Sequence, residues 1–301
     1  MRISDIAKSC GYEFCGNDIE VDSVRFAEYA RENSIAIIKK SECVASTKAK
    51  CVLVEPMLLN TDKSIIFAAD PLEYASVKIA RILQKESARL PQQMKYRQQD
   101  CFYLGENVTI GCDTFIGPNV FIDSDVVIGR NCYISANAYI GAGVVINNGV
   151  KVGAGTIVGA DSFYHYYDNG LQEFAGLGNV IIEEDVSVGN KTTIQRGTFS
   201  DTVIGARSRI GNLIDIGHDV VIGHDCKIVS QTGIASGVII KDYATIYGQV
   251  GVSNGVCVGE RAVVCAKAFV TKDVMDNQHV SGMYARDHGE ELRIQAKMRR
   301  L

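Results

Sequence analysis

The stretch "NLIDIGHDVVIGHDCKI", residues 212–228, sets His218 and His224 six residues apart, each within Ile-Gly-His-Asp. A neutral imidazole with a pKa near 6.5 suits proton abstraction at neutral pH, so either could be a general base. A turn in a repeat also tolerates any polar residue, and on that reading both histidines are decoration. The scaffold decides between the two.

That scaffold is legible. From Leu104 an aliphatic returns at every sixth position through Ile110, Ile116 and onward to Val158, then at Ile182, Val188 and Ile194. After a four-residue slip at "GTFSD" (197–201) it runs unbroken from Ile204 to Val270. Of these 25 hexads, 13 carry glycine directly after the aliphatic, and that glycine is expected to supply the turn's backbone angles. Neither a helix of period 3.6 nor a strand of period 2 sustains this signal, whereas a parallel β-helix, with three short strands and three turns per coil, does. Twenty-five hexads make about eight coils, a prism roughly 40 Å tall at about 4.8 Å per strand spacing. The aromatic, off-pattern insert between Val158 and Ile182, "GADSFYHYYDNGLQEFAGLGN", must leave the prism. It reads equally as a functional loop and as a flap packing its own aromatics.

The flanks are different. Residues 1–98 lack the hexad and read as a separate α/β domain, ahead of a β-helix over 99–275. "RISDIAKSC" is predicted as a helix and "SIAIIKK", "CVLVEP" and "SIIFAAD" as strands. "DPLEYASVKIARILQK" is predicted as a helix with Asp70 as N-cap and Pro71 at its first position. Residues 276–301 form a C-terminal extension whose "HGEELRIQAKMRRL" is helical. Arg293, Lys297, Arg299 and Arg300 crowd its end, as a solvated basic face or a dock for an acidic carrier.

Composition narrows the function. A formal net charge of −4 gives no case for nucleic acid, and no apolar run is long enough to span a bilayer. "MRISDIAKSC" has no signal-peptide core, so a cytoplasmic location is expected. The 10 cysteines are spaced neither as a disulfide framework nor as metal ligands.

Residues six apart occupy different corners of such a prism, and residues 18 apart stack. His218 therefore shares a column with Ser236 and Asn254, which resembles the wall of a site. His224 shares one with Asp242 and Glu260, which reads as surface charge pairing. Zinc in a β-helix hydratase needs three converging histidines, and His218 and His224 point from different corners, with only His165, His279 and His288 besides.

"NLIDIGHDVVIGHDCKIVSQTGIASG", with "GQVGV" and "VTKDV", resembles the UDP-3-O-acylglucosamine N-acyltransferase family of lipid A biosynthesis. The likeness extends to "DSFYHYYDNGLQEFAGLGNVIIEEDVSVGNKTTIQRGTFSDTVIG", to "CGNDIEVDSVRFAEYARENSIAIIKK" and to "SGMYARDHGEELRIQAKMRRL", nearly the whole chain. It implies a left-handed β-helix, a homotrimer with active sites between subunits, His218 as general base and Ser236 at the oxyanion donor position. For the α/β domain over 1–98 it implies nucleotide or substrate binding. It also implies Asn212 and Phe269 as substrate contacts, Asn212 reaching the His218 of a neighbouring chain, and the His218 column adds Asn254 as a third. No covalently bound cofactor is expected. The co-substrate would be an acyl carrier protein or coenzyme A thioester of 4′-phosphopantetheine, and the acceptor a nucleotide-linked amino sugar.

Four positions depart from the family pattern. "SIAIIKKS", Ser34 to Ser41, has neither of the aromatics that sandwich uracil, and a second active-site histidine falls at Gly255. The acid before Asn212 is Gly211, and a residue gating acyl length, often methionine, is Phe269. Two alternatives remain: an acetyl-CoA-dependent amino-sugar acetyltransferase for surface polysaccharide, and a non-catalytic β-helix scaffold.

Overall fold

The inward aliphatics close the chain into a three-faced prism. A computed structural model describes residues 1–39, 43–55, 61–87, 97–99, 101–174, 176–282 and 288–298. Short strands pair in parallel with those one coil on: Phe121–Ile122 with Tyr139–Ile140, Val127–Ile128 with Val145–Ile146, Tyr133–Ile134 with Lys151–Val152. These pairs belong to what we call the first, second and third faces, of 10, 8 and 9 strands among the described residues. Ile122, Ile128, Ile134, Ile140 and Ile146 are at most 1% exposed, and each such burial contributes about 1.5–3 kcal/mol. This column is a core in its own right.

The glycines act differently from expectation. A left-handed φ occurs at most corners, but three residues after the aliphatic, commonly on Asn or Asp such as Asn107, Asp125, Asn131 and Asp219. The glycine directly after the aliphatic is needed for close approach instead. A Cβ at Gly111 would lie 2.6 Å from the backbone of Arg130 one coil on, and at Gly205 2.4 Å from that of Gly223.

The prism also outruns the expected boundary at 275. Val263 and Val264 pair with His279 and Val280, adding a strand to the third face before helix His288–Met298. Arg299 and Arg300 lie outside the described residues.

The N-terminal domain contains α1 (Ile3–Cys10), β1 (Glu13–Cys15), β2 (Ser23–Phe26), β3 (Ser34–Ile37), α2 (Cys43–Ser46), β4 (Cys51–Val54), β5 (Ser64–Phe67) and α3 (Leu72–Ser87). Its sheet runs β1-β5-β4-β3-β2, parallel except for β1, so β2 is an edge. The apolar runs of β3 and β4 are buried along their whole length. At the entry to α3, Oδ2 of Asp70 accepts from the Tyr12 hydroxyl at 2.6 Å and pairs with Lys78 at 3.3 Å, which ties the helix entry to the segment that follows α1.

The aromatic insert leaves the prism as an antiparallel hairpin, Tyr164–Tyr167 with Leu171–Phe174. Its Tyr166 and Phe174, together with Phe199, join the core of the N-terminal domain. The insert and the slip at 197–201 thus dock that domain on the prism.

Candidate active site

His218 sits at the corner between the first and second faces, between strands Asp215–Ile216 and Val221–Ile222. Its Nδ1 is 2.8 Å from Oδ2 of Asp219, with the two side chains 13% and 2% exposed. Oδ1 of Asp219 accepts the N–H groups of Thr198 (3.0 Å), Phe199 (3.2 Å) and Ser200 (2.9 Å) and the Ser200 hydroxyl (2.8 Å). Burial alone would raise the Asp219 carboxyl, but the hydrogen bond and charge of His218 and the Ser200 donors hold it below the usual carboxylate range. An ionised carboxylate only accepts, so this bond keeps a proton on Nδ1 and leaves the Nε2 lone pair free. The Tyr164 ring packs edge-on against the imidazole, centroids 5.8 Å apart.

His224 has a different fate at the corner between the second and third faces. Its Nδ1 accepts the Ala206 N–H at 3.1 Å and lies 3.3 Å from Glu183. Asp242, the expected partner of the imidazole, instead accepts the backbone N–H of His224 at 2.8 Å. The ring is a cap for the coil below.

Capping of this kind recurs along the prism. At several corners the N–H two residues after the inward aliphatic meets a side chain from the adjoining coil: Glu106 meets Ser124, Arg130 Asn148, Ala154 Asn190, and Asn212 Ser230. At others, Ala136, Asn148, Ser230 and Ser236 included, that N–H has no acceptor among the described residues. Ser236 is set apart by its place: it stands one coil above His218, whose carbonyl accepts the Gly237 N–H at 2.9 Å.

Beside this column the first face is hollowed. Gly233 and Gly251 floor an open groove of about 630 Å³ whose lining includes Asp215, Ala235, Ser253, Asn254 and Phe269. Phe269 is 72% exposed, with ring atoms 3.1 Å from where a Cβ of Gly251 would stand. His218, Ser236, Asn254 and Phe269 therefore share one flank. Asn212 does not join them. It lies at the corner between the third and first faces, where its Oδ1 caps the Asn190 N–H at 2.7 Å.

The departures also have structural readings. Gly255 is a left-handed corner (φ 68°) with open space around its missing Cβ. A Cβ at Gly211 would lie 2.7 Å from the Ser230 nitrogen, so an acid there requires the coils to part. The stretch without aromatics is the buried β3, with Lys40 and Ser41 outside the described residues. Asp219 was missed by sequence reasoning because Asp225 follows His224 in the same way. Asp225 faces outward to Arg207 at 2.6 Å. The available signal was the slip at 197–201, which supplies the donors around Asp219.

The hexapeptide family of bacterial transferases (six repeats) matches residues 107–142. A UDP-3-O-acylglucosamine N-acyltransferase of Campylobacter concisus is 38% identical over 312 residues, covering 100% of this chain and 98% of the relative. That of Campylobacter lari is 43% identical over 249 residues, 78% of this chain and 77% of its own. Among solved structures, a UDP-N-acetylglucosamine acyltransferase from Francisella novicida has a TM-score of 0.57 at 27% identity, over 65% of this chain and 72% of its own. Fold and likeness define a β-helix acyltransferase. The chain belongs to the UDP-3-O-acylglucosamine N-acyltransferase family.

Proposed function

We propose that the protein acylates the amine of a UDP-linked 3-O-acylglucosamine or a close nucleotide amino sugar in lipid A biosynthesis, using a 4′-phosphopantetheine thioester as donor. The observation that carries this reading is the His218–Asp219 pair beneath the uncapped Ser236 N–H. Nε2 of His218 takes a proton from the amine as its nitrogen attacks the thioester carbonyl, and Asp219 stabilises the resulting imidazolium. The oxyanion of the tetrahedral intermediate is received by the Ser236 N–H. Collapse breaks the C–S bond, and the imidazolium returns its proton to the leaving thiolate. Asn254 contacts substrate at the rim of the groove, and the acyl chain lies along Gly233 and Gly251 toward Phe269.

The site is completed by a second copy of the chain in a cytoplasmic homotrimer. The second face, which borders the His218 corner, carries outward Val127, Val145, Ile181, Val203, Val221 and Ile239 in one stripe. Such an apolar face calls for a partner, and packing of copies brings Asn212 of a neighbour to the cleft. The test is a mass-spectrometric screen of UDP-, dTDP- and GDP-amino sugars against acyl carrier protein and coenzyme A donors. An N-acylated UDP-sugar made from the carrier-protein donor is expected. No N-acylation with any pair would overturn the reading.

A further inference from the structure

The loop that holds Asp219 is itself held from outside the prism. Its backbone faces the carboxylate, while two of its side chains reach the N-terminal domain. Phe199 is 2% exposed and packs edge-on against Phe26 of the edge strand β2, centroids 5.8 Å apart. Asp201 pairs through Oδ2 with Arg25 of the same strand at 3.3 Å and with Arg31 at 3.9 Å, while its Oδ1 accepts the Asn179 N–H at 2.9 Å. Phe199 also meets Tyr164 at 5.7 Å, the ring that packs on His218.

The loop is tightly wound. A Cβ at Gly197 would fall 1.5 Å from the Ser200 carbonyl oxygen, and one at Gly178 1.8 Å from the same atom. The Gly197 and Thr198 carbonyls accept the Gly178 and Leu177 N–H groups at 2.9 Å, which holds the start of the loop, and the Phe199 and Asp201 side chains add a second hold from the N-terminal domain on the part that carries the donors.

We propose that the N-terminal domain positions the catalytic histidine: by gripping Phe199 and Asp201 through Phe26 and Arg25, it holds the 198–200 donors on Asp219 and thereby aims His218. This rests on His218 being the base. Phe26, Arg25, Phe199 and Asp201 are positioning residues, acting through Asp219 on a histidine that none of the four need touch in a way that reaches substrate. A misplacement near 1 Å can cost about 10²-fold in rate, which sets the scale.

The test uses full-length Phe26→Leu and Asp201→Asn, with folding checked by thermal melting. Both should lower kcat by about ten- to a hundredfold while KM for donor and acceptor changes by less than about twofold. Arg25→Lys, which keeps the charge, should lose less than Arg25→Met. In an Asp219→Asn background the Phe26 and Asp201 substitutions should have almost no further effect on kcat, because the link they act through is already cut. Without substrate, the nitrogen NMR signature of an Nδ1-protonated His218 should give way to mixed tautomers in Asp201→Asn. Full additivity with Asp219→Asn, a rise in KM alone, or an unchanged His218 signature would each overturn the proposal. The NMR arm decides even if the acyl acceptor has been misassigned. If Asp201→Asn fails to fold, Phe26→Leu carries the same readouts.

Discussion

His218 is held by the very next residue, Asp219, at 2.8 Å, and the left-handed backbone of Asp219 (φ 59°) accompanies that arrangement. The same His-Asp pair six residues later does the reverse: His224 caps the Ala206 N–H, and Asp225 pairs with Arg207.

The two histidines should therefore separate by mutation. His218→Ala is expected to lower turnover by about 10²–10⁴, the usual worth of a general base. His224→Ala should leave turnover nearly intact and cost only modest stability through the lost cap. Steady-state rates on both variants, with oligomeric state checked by light scattering, test this. Equal losses from intact proteins would contradict it.

Ser236 offers a backbone experiment. Pro118 occupies the same hexad position two residues after Ile116, so the prism accepts proline there. Ser236→Pro removes the proposed oxyanion donor and should cut kcat by about 10²–10³, whereas Ser236→Ala should barely change it. Similar kcat values for a folded Pro variant and wild type would remove the N–H from the mechanism.

Asp219 should couple stability to acid. Its folded pKa lies below the unfolded value of about 3.9. Its stabilisation is thus complete above that unfolded value and is lost as pH falls through the lower folded one. Asp219→Asn should be less stable at pH 7 by about 1–3 kcal/mol, since the loop donors lose their charged acceptor. The gap from wild type should narrow in denaturation curves taken from pH 5 downward. A gap that widens toward acid would refute the assignment.

Phe269 should set acyl length. Its ring stands over the far part of the groove, and each methylene denied burial costs roughly 0.8 kcal/mol. A donor four carbons too long would then lose about 3 kcal/mol of binding. A preference for shorter acyl donors is expected, moving to longer ones in Phe269→Ala. A donor series of increasing length against both proteins checks it, and an unmoved optimum would count against Phe269.

What was legible in the sequence follows from where the constraint lies. Inward positions must be aliphatic in every coil, so Ile204 to Val270 announce the prism, and the constant 18-residue rise puts Ser236 and Asn254 above His218. The role of Asp219 depends on donors about 20 residues away in the loop at 197–201, a tertiary contact with no period. The glycines misled for a related reason: they relieve a contact between coils, which one coil's sequence does not display. The bond from Tyr12 to Asp70 spans 58 residues and has no counterpart in local sequence.

The groove's floor belongs to single positions in successive coils, Gly233 and then Gly251. Coils gained or lost therefore change its length in whole strand spacings of about 4.8 Å, close to four methylenes of an extended chain at roughly 3.3–3.6 Å per three bonds. Duplication or loss of one 18-residue coil above Ser236 would shift the end wall by that step while sparing His218. Diversification of such enzymes can thus be digital: a tandem repeat event moves donor preference by a fixed quantum, and point changes at the end wall fill in between.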